Sequence, residues 1–336
     1  MDSKQNPSRA KKYIFRIVTV LLVLALLYQC GAMVAYHFIF RNYQPSGNGY
    51  CRHYEASDEE AYPRENFTFT SGDNQLTARF YPAKDPKATL IIAHGFHSYG
   101  DRFFELAAYF VDRGFNVITY NETGTADSEG LDTVGLTQMR LDLINCIEQI
   151  EDTKYTRNGA LPIVLLGHSM GAYSVATALK SKTQIAAAIC VAPFDRPTQV
   201  MYDYSKDFVG VFSDITYPAM YLQSFFLFGA DHDLSASEVL SKTSVPTLIV
   251  YGDHDTIVTP ELAAYSHRDE INNPLVTYRY IEDEYRGTHT TMWYTEESAK
   301  EVISRSDNQP YDGTYPELDA EFMESLYEFY SEHLER

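Results

Sequence analysis

Between Ile17 and Phe40 the chain carries no formally charged side chain, and only Gln29 and His37 are strongly polar. Those 24 residues, at ~1.5 Å each, would reach ~36 Å as a helix, enough to cross a bilayer core of ~30 Å. Five basic groups (Lys4, Arg9, Lys11, Lys12, Arg16) precede or open this run against Asp2 alone. The pattern predicts a basic cytoplasmic tail over 1–12 and a transmembrane anchor over 13–40. The positive-inside rule places everything after it outside the cytoplasm. A cleaved signal peptide is the alternative, but the run is too long for an h-region and no A-x-A site closes it. A lipoprotein signal through Cys30 is poorer still, because "LYQC" is bulky where small residues are needed. Residues 41–63 hold Pro, Gly and Asn, then acids, and read as a linker.

From residue 64 the pattern changes. "NFTFTS" and "QLTARFY" flank Gly72-Asp73-Asn74 and predict an antiparallel hairpin. Short apolar runs then alternate with helical stretches. The runs "ATLIIAHG" (88–95), "FNVITY" (115–120), "LPIVLLGHS" (161–169), "IAAAICVAP" (185–193), "VPTLIVYG" (245–252) and "LVTYRYI" (275–281) read as strands. Helices are expected over about 102–113, 132–152, from Met170 through an Ala-rich stretch, from Thr259 as cap with Pro260 at the first position, and over about 316–335. Nearly continuous apolar strands joined by helices imply a mostly parallel sheet covered on both faces, an α/β domain over 64–336.

One interval departs from this alternation. Residues 194–244 separate two strands and hold Tyr202, Tyr204, Phe208, Phe212, Tyr217, Tyr221, Phe225, Phe226 and Phe228. A plain loop whose aromatics fill the core is the simple account. An insertion after a strand's C-terminal end lies where open α/β sheets bind ligands, so a small lid is expected.

Charge narrows the partners. Of the 336 residues, positions 17–336 hold 22 basic and 45 acidic side chains. Such a body repels nucleic acid and anionic membrane surfaces. Cysteines 30, 51, 146 and 190 show no C-x-x-C spacing, which supports neither a zinc ribbon nor a disulfide framework. Asn66-Phe-Thr and Asn121-Glu-Thr fit the glycosylation pattern.

Gly167-His168-Ser169-Met170-Gly171 matches G-x-S-x-G between an apolar strand and a good helix, the setting of a nucleophile elbow. The alternative is a serine in an ordinary tight turn. "AHGFHSYGDRF" (93–103) follows the strand at 88 and is placed to offer the Phe96 amide to an oxyanion, with the Met170 amide as second donor. The simpler account is that His94 and Gly95 merely end a strand. Together these residues resemble the serine hydrolases of the α/β-hydrolase superfamily, especially the lysophospholipase and monoacylglycerol-lipase-like branch. There, H-G followed by an R-F or R-Y pair, then G-H-S-M-G, is usual. The resemblance covers roughly 65–336 and departs at "NETGTADSEG" (121–130), where relatives carry a Gly-rich turn and a basic residue in place of Glu122.

The superfamily order of nucleophile, acid and base implies an acid after the strand at 245–252. Asp255 fits the spacing G-x-x-D-x-x-V, with Asp253 as the alternative. The base expected after the last strand is His289, 34 residues beyond Asp255; His267 and His333 fall in predicted helices. The earlier Asp231-His232-Asp233 triplet precedes Ser235-Ala-Ser-Glu238 and reads as a solvated helix entrance. No recognisable metal-ligand spacing is present. The resemblance thus implies a cofactor-free hydrolase of carboxylic esters; with the membrane anchor and the lid aromatics, acyl-chain, lysolipid or monoglyceride substrates are expected. An amidase or peptidase with the same triad is the nearest alternative, and a non-catalytic binding protein of this shape is a further one.

Overall fold

The computed structural model describes residues 7–45, 52, 54–305 and 315–334. Asp2 and Lys4 of the basic tail, Cys51, linker positions 46–50 and 53, residue 335 of the last expected helix and the Phe208 side chain lie outside the described residues. Helix α1 (Pro7–Ile39) is long and apolar enough to cross a membrane. The body follows with β1 (Glu65–Ser71), β2 (Asn74–Tyr81), β3 (Ala88–Ala93), α2 (Phe104–Val111), β4 (Phe115–Tyr120), α3 (Gln138–Ile150), β5 (Ile163–His168), α4 (Met170–Ala178) and β6 (Ala187–Val191). Then come α5 (Pro197–Val209), α6 (Ser213–Phe228), α7 (Ala236–Leu240), β7 (Thr247–Gly252), β8 (Val276–Ile281), α8 (Glu296–Ser304) and α9 (Ala320–Leu334).

The eight strands form one sheet in the order β1-β2-β4-β3-β5-β6-β7-β8. β2 pairs antiparallel with β1 and β4, and every later pairing is parallel. The central strands are buried on both faces, which is why they read as unbroken apolar runs. Their pleat divides the core in two: Ile91 and Leu165 point to the layer with α3 and α4, Leu90 and Leu166 to the layer with α2 and α9. Tyr330 of α9 crosses that second layer and donates its hydroxyl to the Leu165 carbonyl at 2.6 Å.

Several local expectations are corrected. The helix expected at Pro260 does not form: Leu262 and Ala263 amides both close on the Thr259 carbonyl, and only a 3-10 turn, Ala264–His267, follows. Ala263 bridges Phe194, Asp195 donates to Leu262 and Ala264 donates to Pro193, so the backbone groups a helix would use are spent on the 193–195 loop. Helix α3 starts six residues late, at Gln138 rather than 132, because Val134 sits at φ 58 and the Thr133 amide is held by the Phe40 carbonyl. Asn121 is no glycan acceptor: it is buried, donates to Asp127 Oδ1 at 2.6 Å and accepts from the Gly100 amide at 2.7 Å. Asn66 is exposed on β1.

The stretch expected as a linker is packed on the body at both ends. Arg41 and Tyr43 form bridges to Asp132 and Thr125. Tyr54 and Tyr62 set their rings edge-on to buried Phe104. The C-terminal part of α1 is itself docked, with Ala32, Tyr36 and Phe40 buried. Tyr28 and Gln29 donate to the α6 carbonyls of Ile215 and Ala219.

Residues 194–244 form a helical hairpin, α5 and α6, rather than a loop, and α7 then returns to the body against α4. Val211, Phe212, Ile215, Phe225 and Phe226 stand exposed on it. The Asp231–Asp233 triplet is a staple rather than a solvated entrance. Asp231 pairs with Lys180 at 2.7 Å, and Asp233 accepts from the Thr198 hydroxyl and amide at 2.7 and 3.1 Å. His232 is buried between the rings of Tyr221 and Phe225. Ser235 does cap α7, accepting from the Glu238 amide.

Candidate active site

Parallel β5 delivers Ser169 directly to the start of α4. Its backbone, at φ 57 and ψ −118, lies outside the ordinary regions for a side-chain-bearing residue. The strain is fixed by crowding on either side. A Cβ on Gly167 would meet the Gly171 carbonyl oxygen at 2.3 Å, and one on Gly171 would meet that of Ala93 at 2.1 Å. The Ser169 amide is tied to the Val191 carbonyl at 2.8 Å. Met170 heads α4, where the first amides have no intrahelical acceptor.

The β3 turn approaches from the other side. A Cβ on Gly95 would lie 3.3 Å from Ser169 Cβ, so the backbone at 95–96 abuts the serine. His94 behind it donates from Nδ1 to the Gly95 carbonyl at 2.9 Å, and its Nε2 accepts from the Glu122 amide at 3.4 Å. Complete burial pushes His94 down to about 4 and raises the Glu122 carboxyl well above its usual range. His94 is therefore neutral near pH 7, so its 3.8 Å approach to Glu122 is not an ion pair.

The third arm comes from beyond β7 and β8. Asp255 Oδ2 lies 2.7 Å from His289 Nδ1, while its Oδ1 accepts from the Ile257 and Val258 amides at 2.9 and 2.8 Å. That amide pair orients the carboxylate from behind. Asp253 faces elsewhere, accepting from His254 Nδ1 at 2.8 Å and the Asp283 amide at 3.2 Å. His267 and His333 make local contacts, with Glu270 and the Phe329 carbonyl. Ser169 and His289 line one cavity of about 100 Å³ together with Phe96, Ser98, His168 and Trp293. Among the described residues, no group of three or more His, Cys, Asp or Glu could hold a metal ion.

Two contributors escape sequence reasoning. His168 donates from Nε2 to the His289 carbonyl at 2.7 Å, so the residue before Ser169 holds the loop that carries the imidazole. Burial, then the neighbouring His289, drive His168 down to about 3, so it makes this bond as a neutral imidazole. Phe40, at the end of α1, sets its ring against Phe96 at 5.7 Å. Neither carries a local signal, because each partner is remote in sequence.

Residues 84–224 match a family model described as serine aminopeptidase, S33. No curated protein matches the chain by sequence. Solved structures share its fold. An esterase of Pyrococcus furiosus, Pf2001, is 16% identical with a TM-score of 0.59, over 88% of this chain and 99% of its own. The α/β hydrolase GrgF from Penicillium sp. sh18 is 16% identical with a TM-score of 0.54, over 82% and 100%. A proline iminopeptidase of Mycobacterium smegmatis is 13% identical with a TM-score of 0.52, over 80% and 99%.

Proposed function

We propose that this chain, which has the α/β-hydrolase fold, is a membrane-anchored serine hydrolase that cleaves carboxylic esters through an acyl-enzyme. The observation that carries the reading is the Asp255–His289 pair, 2.7 Å apart, whose imidazole lines one cavity with a serine on a strained strand-to-helix turn. His289 Nε2 takes the proton from Ser169 Oγ as that oxygen attacks the ester carbonyl. The carbonyl oxygen becomes an anion held by the Phe96 and Met170 amides. Collapse breaks the bond to the alkoxy group, which leaves as an alcohol with the proton from His289. Water then attacks the acyl-enzyme with the same base and releases the carboxylic acid. Asp255 holds the imidazole tautomer and stabilises the imidazolium.

The substrate in this reading is an acyl-chain ester of lysolipid or monoglyceride type. Its support is the exposed apolar surface of α6 beside α1. The charge asymmetry about the anchor supports a cytoplasmic N-terminus and a body outside. Amide cleavage is the second reading, favoured by the serine-aminopeptidase description of the matching family.

A fluorophosphonate probe tests the core claim. Wild type is expected to label and Ser169→Ala not to; no labelling of wild type, or equal labelling of both, removes the enzyme claim and leaves a binding protein. Turnover of paired p-nitrophenyl esters and p-nitroanilides separates ester from amide chemistry. Across p-nitrophenyl esters of increasing acyl length, kcat/KM is expected to rise, and a flat series would remove the acyl-chain assignment.

A further inference from the structure

The turn that presents the Phe96 amide is strained. His97, the next residue, sits at φ 52, the left-handed region that non-glycine residues avoid. Something must hold it there, and the contacts come from an unexpected quarter. The Phe96 and His97 rings stack on one another with centroids 3.9 Å apart. Tyr43 stacks on His97 at 5.1 Å and 17°, and Phe40 meets Phe96 edge-on at 5.7 Å and 68°. These four rings form one continuous series from the end of the membrane helix to the turn beside Ser169.

The two outer rings are themselves fixed by main-chain bonds. Tyr43 donates its amide to the Gly124 carbonyl and accepts from the Ala126 amide, each at 2.9 Å. The Phe40 carbonyl accepts from the Thr133 amide and hydroxyl at 2.6 and 3.0 Å. Phe40 is also fully buried. The end of α1 is therefore locked to the 124–133 loop on one side and pressed on the 96–97 turn on the other.

We propose that the end of the membrane helix is a positioning element of the active site, in which Phe40 and Tyr43 hold the strained 96–97 turn so that the Phe96 amide faces the oxyanion. This rests on the assignment of Ser169 and Phe96 made above. The two aromatic residues touch neither substrate nor reacting atoms; they act through the backbone of the turn. Removing either ring lets His97 relax toward ordinary φ and swings the Phe96 N–H away from the developing charge.

The test uses the full-length chain in detergent micelles and a short, water-soluble p-nitrophenyl ester, so that delivery through a bilayer plays no part. Phe40→Ala and Tyr43→Ala are expected to lower kcat by ~10-fold with KM within ~2-fold, the signature of an interaction made only in the transition state. Affinity for a trifluoromethyl ketone, which forms a tetrahedral adduct with the serine, falls by the same factor. Tyr43→Phe keeps the ring and the wild-type kcat, and Leu24→Ala, on the exposed apolar surface of α1, is without effect. Tyr43 is only half-buried, so its alanine variant folds even where Phe40→Ala does not. Wild-type kcat in Tyr43→Ala, or a fall in kcat with ketone affinity unchanged, would overturn the proposal. Failure of the serine-hydrolase reading shows separately, as wild type that no fluorophosphonate labels.

Discussion

Two neighbouring aspartates, Asp253 and Asp255, differ in what their carboxylates face. Asp255 bonds His289 and is buttressed by two amides; Asp253 bonds exposed His254. Asp255→Asn would keep the geometry but favour the wrong imidazole tautomer, so kcat should fall by ~10³–10⁴-fold. Asp253→Asn should stay within a few-fold of wild type. Steady-state kinetics on one ester decide it, and equal losses in the two variants would remove the assignment of the acid. At this scale the sequence was readable wherever motif and setting coincide. Ser169 lies between an apolar run and an Ala-rich helix, and Asp255 follows the end of a strand at a fixed spacing. His168 was not readable, because its partner is a backbone carbonyl 121 residues away.

Elements were legible where burial sets the pattern and illegible where long-range contacts override local signals. β4 has the boundaries its apolar run gives, Phe115–Tyr120. Thr259-Pro260 carries a good helix-start signal, yet the bridge to Phe194 consumes the backbone groups a helix needs. The insertion at 194–244 was visible as an interval too long for one crossover, but not as a hairpin stapled at its base. Asp233 there does the work of a cap: its Oδ1 takes the Thr198 amide in the first turn of α5, where Arg196 makes no side-chain cap. Asp233→Ala should therefore cost ~1–2 kcal/mol of stability, and Asp233→Asn, which keeps an acceptor, distinctly less. Thermal unfolding of the two variants beside wild type measures this; no loss in Asp233→Ala would show that the staple is idle.

For the whole molecule, buried titratable groups give pH opposing slopes. His94 and His168 are depressed to about 4 and about 3 by burial. The unfolded chain therefore binds protons there first, and their contribution is present above pH ~6.5 and lost as pH falls. Glu105 has the reverse sign. Burial, against the opposing pulls of Arg52 and Tyr294, raises it to about 7. The folded state holds that proton more tightly, so stability is lost as pH rises through about 7. Between pH ~6.5 and ~4.5 the two effects oppose each other. The buried Glu122 carboxyl, also raised, acts in the same sense; Glu105→Gln removes one share of this compensation, so its Tm should fall more steeply than that of wild type from pH 7 to pH 5. Parallel slopes in a melting series would contradict this assignment.

The seat of α1 on the body bears on how the protein can be handled. Trimming the chain ahead of residue 41 is the ordinary route from an anchored protein to a soluble fragment. Here it would strip Ala32, Tyr36 and Phe40 from the core and leave an apolar slot open to water. Such a fragment should aggregate rather than stay in solution as a folded body.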